Sequence, residues 1–257
     1  MKPAQLVTAY YTMMRRAVVR IVRIWSQTLL PPVVTTSLYF IVFGTFIGSQ
    51  LAAIHGFSYI QFIVPGLIMM SVITSSYMET VSTFYFAKWT RTIDEVLISP
   101  MPNWLVILSF ISAGMLRGLL VGTLVLLVSL FFAHLAVVNA LVLFAALVLT
   151  SLVFSLAGLI NGMYAKSFDG VSIVPTFVLT PLTYLGGVFY SIDRLPHFWQ
   201  QVSLFNPILY MVNAFRYGFL GVSDVPVVES FSLLAGLVVV LSLIVLYLFK
   251  TGSGLKN

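Results

Sequence analysis

The chain contains no cysteine in 257 residues, which excludes disulfides, thiolate nucleophiles and cysteine-held metals. Charge is almost as scarce: 13 basic and 7 acidic side chains amount to 8% of the residues, whereas an ordinary soluble domain carries about 25%. The three histidines, His55, His134 and His197, are scattered and have no ligand spacing, so interfacial hydrogen bonding is their expected use. A glycine-rich phosphate loop ending in Lys-Ser or Lys-Thr is missing, so ATP is not bound by that route. HExxH and paired-carboxylate clusters are missing too. Thr251-Gly252-Ser253-Gly254 echoes a nucleophile elbow without its strand–turn–helix setting. No catalytic residue, no metal site and no cofactor is expected in this chain.

What is present is apolar length. Sixty per cent of the residues are hydrophobic and mean hydropathy is +1.06, the composition of a polytopic helical membrane protein. Porin-like barrels need alternating polar and apolar positions, and these runs are continuous. Crossing ~30 Å of hydrocarbon takes about 20 apolar residues as a helix. Spans are predicted at 29–48, 61–85, 105–132, 139–163, 172–191 and 228–249. The expected fold is an all-α polytopic membrane protein with six transmembrane helices in a single domain over 1–257, with no room for a soluble catalytic domain. No cleavable signal is expected, because the first apolar run begins near Leu29, after a long basic segment.

The few charges are placed unevenly. Arg16, Arg20 and Arg23 fall at i, i+4, i+7, with Met14, Val18, Ile21 and Trp25 on the opposite stripe. Residues 1–28 therefore read as an interfacial amphipathic helix. The net charge of +6 could suggest nucleic acid or acidic ligands, but the positive-inside bias of membrane proteins accounts for it. With the N-terminus inside, Lys2, Arg15, Arg16, Arg20, Arg23, Lys88, Arg91, Lys166, Lys250 and Lys256 are cytoplasmic, against Arg194 and Arg216 outside. Both termini are thus predicted to be cytoplasmic.

Glu79 and Arg117 interrupt apolar runs. An intramembrane charge raises a functional hypothesis; mutual pairing, snorkelling of Arg117 to the inner headgroups, and a substrate role all fit. Gly114, Gly118 and Gly122 in the third span, and Gly158 and Gly162 in the fourth, are spaced for close helix approach, within the bundle first and between copies second. In the inner loop 86–103, Thr92 and Glu95 match a capping box, Asp94 and Glu95 suit the first turn, and Pro100 and Pro102 end the helix. A short stiff helix between two spans is well placed to be pushed by a soluble partner; an ordinary surface loop is the other reading. Beyond Ser191, Asp193, Arg194, Pro196 and His197 break the apolar run. Asn206-Pro207 then opens a helix that Gly221 ends, about 21 Å long and too short to cross. Segment 192–227 therefore reads as a re-entrant external helical hairpin before the last span.

Three stretches, RTIDEVLISPMP, PTFVLTPLTYLGGVFYSIDRLPHFWQ and NPILYMVNAFRYGFLG, resemble the ABC-2-type permeases, the membrane subunits of bacterial ABC exporters. FIVPGLIMMSVIT and FVLTPLTYLGGVFYS are similar to the YadH-type subgroup. The resemblance covers essentially the whole chain. It implies a homodimer working with two copies of a separate ATPase that binds ATP and Mg, and export of an amphiphilic or hydrophobic substrate (drug, lipid or glycan-linked) across the bacterial inner membrane. Arg91, Thr92, Asp94, Glu95 and Leu97 would form the coupling helix. Met70, Ile73 and Tyr77 of the second span, with Phe177, Thr180, Tyr184 and Phe189 of the fifth, would line the path. Leu195, Pro196, Phe198, Trp199, Asn206, Pro207, Tyr210 and Arg216 would form the external gate. An ATPase-independent channel or carrier needs embedded carboxylates and finds only Glu79; a membrane enzyme needs a convergent polar cluster that is not evident.

Overall fold

The computed structural model describes residues 2–50 and 53–255; Lys256, counted above among the cytoplasmic cations, lies outside them. The described residues are nearly all helical and contain no β-strand. In chain order the helices are α1 (Pro3–Arg23), α2 (Trp25–Thr28), α3 (Leu30–Tyr39), α4 (Tyr59–Trp89), α5 (Thr92–Ile98), α6 (Asn103–Ser129), α7 (Ala140–Tyr164), α8 (Phe168–Val174), α9 (Thr180–Leu185), α10 (His197–Leu204), α11 (Pro207–Leu220) and α12 (Val227–Thr251). Six stretches are long and apolar enough to span: Trp25–Gly44, α4, α6, α7, Phe168–Leu185 and α12. The expected class, all-α with six spans, is the one found.

Helix α4 is the axis. It packs against α6, α7 and α11, and 78% of its apolar window is buried, against 17% in the first, fifth and sixth spans. The glycine stripes bring its neighbours close. A Cβ at Gly114 or Gly118 of α6 would collide with the Thr80 or Ser76 hydroxyl of α4, and one at Gly158 of α7 would lie 2.6 Å from Tyr77 O. These glycines serve packing within the chain, where missing side chains let backbones approach.

Prolines shape the first and fifth spans. Pro31 and Pro32 lack the N–H that would continue the ladder, so the first span opens as two short helices, α2 and α3, before a π-helical stretch at Phe40–Ile47. The fifth span corrects the expected 172–191. It starts earlier, at Phe168, because Ser167 accepts a hydrogen bond from the Gly170 N–H and Asp169 sits in the first turn, where the helix dipole favours a carboxylate. It ends earlier, at Leu185, where the chain turns through Gly186 and a left-handed Gly187 (φ +69°). Between them Pro175–Leu179 is π-helical, with the Thr180 hydroxyl donating to Pro175 O at 3.0 Å.

The expected capping box at Thr92 is not formed. Arg91 is the cap residue, left-handed at φ 57°, and the Asp94 N–H donates to its carbonyl. The tight reversal after Trp89 forces Thr92 into the first helical position, from which its side chain cannot cap. Asp94 and Glu95 do lie in the first turn. Helix α11 starts at Pro207 behind its Asn206 cap and stops at a left-handed Gly221.

Candidate functional site

Glu79 and Arg117 meet: Arg117 Nη1 donates to Glu79 Oε2 at 3.0 Å across the α4–α6 contact. A third charge joins them, because Arg20 of α1 donates to Glu79 Oε1 and to the Thr83 hydroxyl. Arg117 Nη2 also donates to Thr28 O at 3.1 Å, a carbonyl freed by the end of α2. One carboxylate therefore holds two guanidiniums and ties α1, α2 and α6 to the central helix. Assigning Arg20 to a headgroup-facing stripe is thus corrected. Ile21 beside it is buried, and α1 packs on α6 rather than lying free.

Beside this cluster a cleft of about 290 Å³ separates the first span from α4. Thr35 and Thr36 line one wall, Met70, Ser71, Thr74, Ser75 and Met78 the other, and Arg117 the floor. The Thr36 and Ser71 hydroxyls bond each other across it at 2.9 Å. Of the expected path residues on α4, only Met70 is placed there. Ile73 and Tyr77 are 0% and 1% exposed and pack in the core, not at the cleft. Small hydroxyl residues are scattered around α4 among its apolar ones, so no strong periodicity reveals which side faces the cleft. The hydroxyl wall, which sequence reasoning missed, carries only a faint signal: Ser71, Thr74, Ser75 and Met78 at i, i+3, i+4, i+7.

An aromatic patch adjoins the cleft. Tyr39 lines the cleft and meets Phe189 edge-on at 6.1 Å; Phe189 also contacts Phe43 at 5.1 Å and stacks on Tyr184 at 5.7 Å. Phe189 lies past the end of the fifth span, beyond the turn at Gly186 and Gly187. The Tyr59 hydroxyl donates to its carbonyl at 3.1 Å, and Gly66 lets the neighbouring Val188 carbonyl come within 2.8 Å of where a Cβ would stand. Phe177 is 73% exposed, and Thr180 is exposed with its hydroxyl turned back to Pro175; neither is brought to the cleft.

At the opposite end α11 is buried against α4, α7 and α12. Arg216, fully buried, donates to Gly187 O at 2.6 Å, caps the Phe62 ring at 3.8 Å and lies 3.8 Å from Asp224 Oδ2. Burial pulls its guanidinium down to about 10 while Asp224 acts the other way, so it stays charged at neutral pH. Asp224 further accepts from the Ser191 hydroxyl at 2.8 Å and the Ile192 N–H at 3.2 Å. His55 Nε2 lies 3.5 Å from Asp224 and 4.0 Å from Asp193, so the expectation of three unclustered histidines is corrected for His55. These three groups have ligand atoms within 4.8 Å of one another. Asp224 is already engaged by a cation and two donors, the donor set of a latch rather than of an open metal site.

The remaining expected gate residues lie on α10 and α11 or just before them. Asn206 caps α11 and donates to Leu182 O at 2.6 Å, tying α11 to the fifth span behind Pro207. Tyr210 donates to Leu204 O at 2.9 Å, Leu195 O accepts from Gln200 at 2.9 Å, and Pro196 caps α10. Phe198 and Trp199 are exposed and touch edge-on at 5.4 Å. On α5, Arg91, Asp94 and Glu95 are exposed, Thr92 and Leu97 partly buried, and Ile93 buried.

Among the described residues, six stretches long and apolar enough to span a membrane surround a buried charge cluster. A family model described as ABC-2 type transporter matches residues 8–220, and the chain belongs to that family. It is 55% identical over 238 residues to the Inner membrane transport permease YadH of Escherichia coli strain K12, covering 93% of each chain. It is 24% identical over 185 residues to Nodulation protein J of Rhizobium leguminosarum bv. viciae, covering 72% of this chain and 71% of that one.

Proposed function

We propose that the chain is the permease subunit of an ATP-binding-cassette exporter in a bacterial inner membrane, acting as a homodimer with two separate ATPase subunits. ATP and magnesium belong to those subunits; this chain turns their closure into movement of a path for an amphiphilic cargo. The name of the Escherichia coli relative, an inner membrane transport permease, supports the location. The ten-to-two bias of cations supports both termini in the cytoplasm.

The observation that carries this reading is a continuous mechanical route. Exposed Asp94 and Glu95 offer a surface for the motor, while Ile93, Val96 and Leu97 of α5 pack into the same apolar cluster as Met13 of α1. Helix α1 carries Arg20 to Glu79 on the central helix, and Glu79 holds Arg117 at the cleft floor. A push on α5 therefore reaches the cleft through packed side chains and two ion pairs. The buried α11, locked by Arg216 and Asp224, is the external gate, re-entrant from the far side. An ATPase-independent carrier lacks support, since Glu79 is engaged by two guanidiniums and is not free to couple ions.

The test is a photo-cross-linker at Glu95 in membranes. The expected product is an adduct with a nucleotide-hydrolysing subunit, formed more strongly with ATP than without. Reconstituted permease that moves solute with no such subunit present would refute the proposal.

A further inference from the structure

We infer that the cleft between α3 and α4 is a binding site for the anionic headgroup of an amphiphile, with Arg117 and the Ser75 and Thr35 hydroxyls as its recognition groups. This rests on the permease reading for its purpose, though not for the binding itself.

Charge bookkeeping comes first. Arg20 and Arg117 share one carboxylate, and no other acidic group among the described residues pairs with either. The cluster therefore carries one net positive charge, shared between Arg117 within the third span and the partly exposed Arg20 of α1, an arrangement that favours a bound anion. The second observation is unused donors. Arg117 Nε is buried with no partner. Ser75, 3% exposed, and Thr35, both on the cleft wall, make no hydrogen bond among the described residues. A residue as buried as Ser75 normally finds a partner; its hydroxyl and that of exposed Thr35 are free to donate to a ligand in the cleft that Arg117 also lines. The third is size: about 290 Å³ equals the share of roughly ten waters at ~30 Å³ each, ample for a phosphate-sized head.

The surroundings say what is attached to that head. Tyr39 closes one side of the cleft and leads to Phe43, Phe189 and Tyr184, an aromatic patch without charge. A ligand with an anionic head on Arg117 and an apolar body along these rings satisfies both surfaces. A neutral apolar molecule leaves the donors empty, and an inorganic ion leaves the aromatic patch uncovered.

The test uses the purified full chain in phosphatidylcholine nanodiscs, with no ATPase, titrated with a fluorescent lysophosphatidate and with the monoacylglycerol of the same chain. The anionic probe is expected to bind at least about tenfold more tightly. The double variant Ser75→Ala, Thr35→Val, which leaves the charge cluster intact, is expected to lose about tenfold for the anionic probe alone, as removing hydrogen bonds to a charged group does. Equal affinity for the two probes overturns the inference, as does a well-folded double variant that binds like the parent. Adding phosphatidylglycerol to the disc separates two sources of the same headgroup chemistry. Lost lysophosphatidate binding assigns the cleft to bilayer lipid, and retained binding assigns it to a diffusing amphiphile; either supports an anionic head. Failure of ATP-driven transport would strike the permease reading and leave these titrations standing.

Discussion

Replacing Glu79 with Gln keeps the shape of the side chain and removes the one carboxylate that two guanidiniums share. At an effective dielectric of ~20, a pair about 4 Å apart is worth roughly 4 kcal/mol of attraction before desolvation. Removing one member of a buried pair typically costs 3–5 kcal/mol in all, by roughly that margin stranding the partner charge. Arg117, only 14% exposed at its side chain, bears most of this loss; Arg20, at 35%, is screened and contributes less. In a chain of this size each kcal/mol shifts Tm by about 2–4 °C, so Glu79→Gln should lower the apparent Tm by roughly 6–20 °C. The assay is thermal unfolding of the detergent-solubilised protein at low and high salt, and the drop should be nearly independent of salt because the Arg117 pair is shielded from ions. Exchanging the charges, Glu79→Arg with Arg117→Glu, should rescue only in part, since Arg20 then faces a new arginine; adding Arg20→Glu should recover more. An apparent Tm within about 2 °C of the parent for Glu79→Gln would show that the cluster is not holding the helices together.

Other positions give sharper local tests. Gly118→Val drives a side chain into Ser76 on α4 and should cost about 1–3 kcal/mol or more by overpacking, read as lost monodispersity on size exclusion; Gly236→Ala, with open space around it, serves as the silent control. Asp224→Asn leaves the fully buried Arg216 with no counter-charge and should destabilise by about 3–5 kcal/mol, whereas a change under about 1 kcal/mol in denaturant unfolding would refute the latch. Tyr184→Ala should reduce transport-linked ATP hydrolysis with assembly intact, while Ile73→Val, in the core, should cost about 0.5–1.5 kcal/mol and leave cargo-stimulated hydrolysis unchanged.

Two features of the site show how far residue pattern reaches. Asn206-Pro207 and Gly221 bracket α11 correctly because a cap, a fixed φ and a left-handed stop act on the backbone over a few residues. Glu79 and Arg117 are conspicuous for a similar reason, as charges in apolar runs. Arg20 gave no such sign: it sits 59 residues before Glu79 in a basic stripe that suits a headgroup layer equally well. That Ile73 and Tyr77 pack in the core rather than at the cleft was not legible, because α4 is enclosed by neighbours and its apolar residues carry no directional signal. The fifth span drifted because an uncharged run was equated with a helix, while Ser167, Asp169 and Gly187 set its real ends.

Composition and charge distribution alone determined that this is an all-helical membrane protein with six spans, because hydrocarbon demands internally bonded backbone and long apolar runs. Local caps and prolines likewise determined where several helices break. Only the tertiary structure decided that one carboxylate binds two arginines from separate helices, and that serine and threonine hydroxyls face one cleft. It also decided that His55, Asp193 and Asp224 meet at the far end. Those arrangements depend on the rotation and depth of each helix against its neighbours, which packing sets through contacts distant in sequence and which no local pattern encodes.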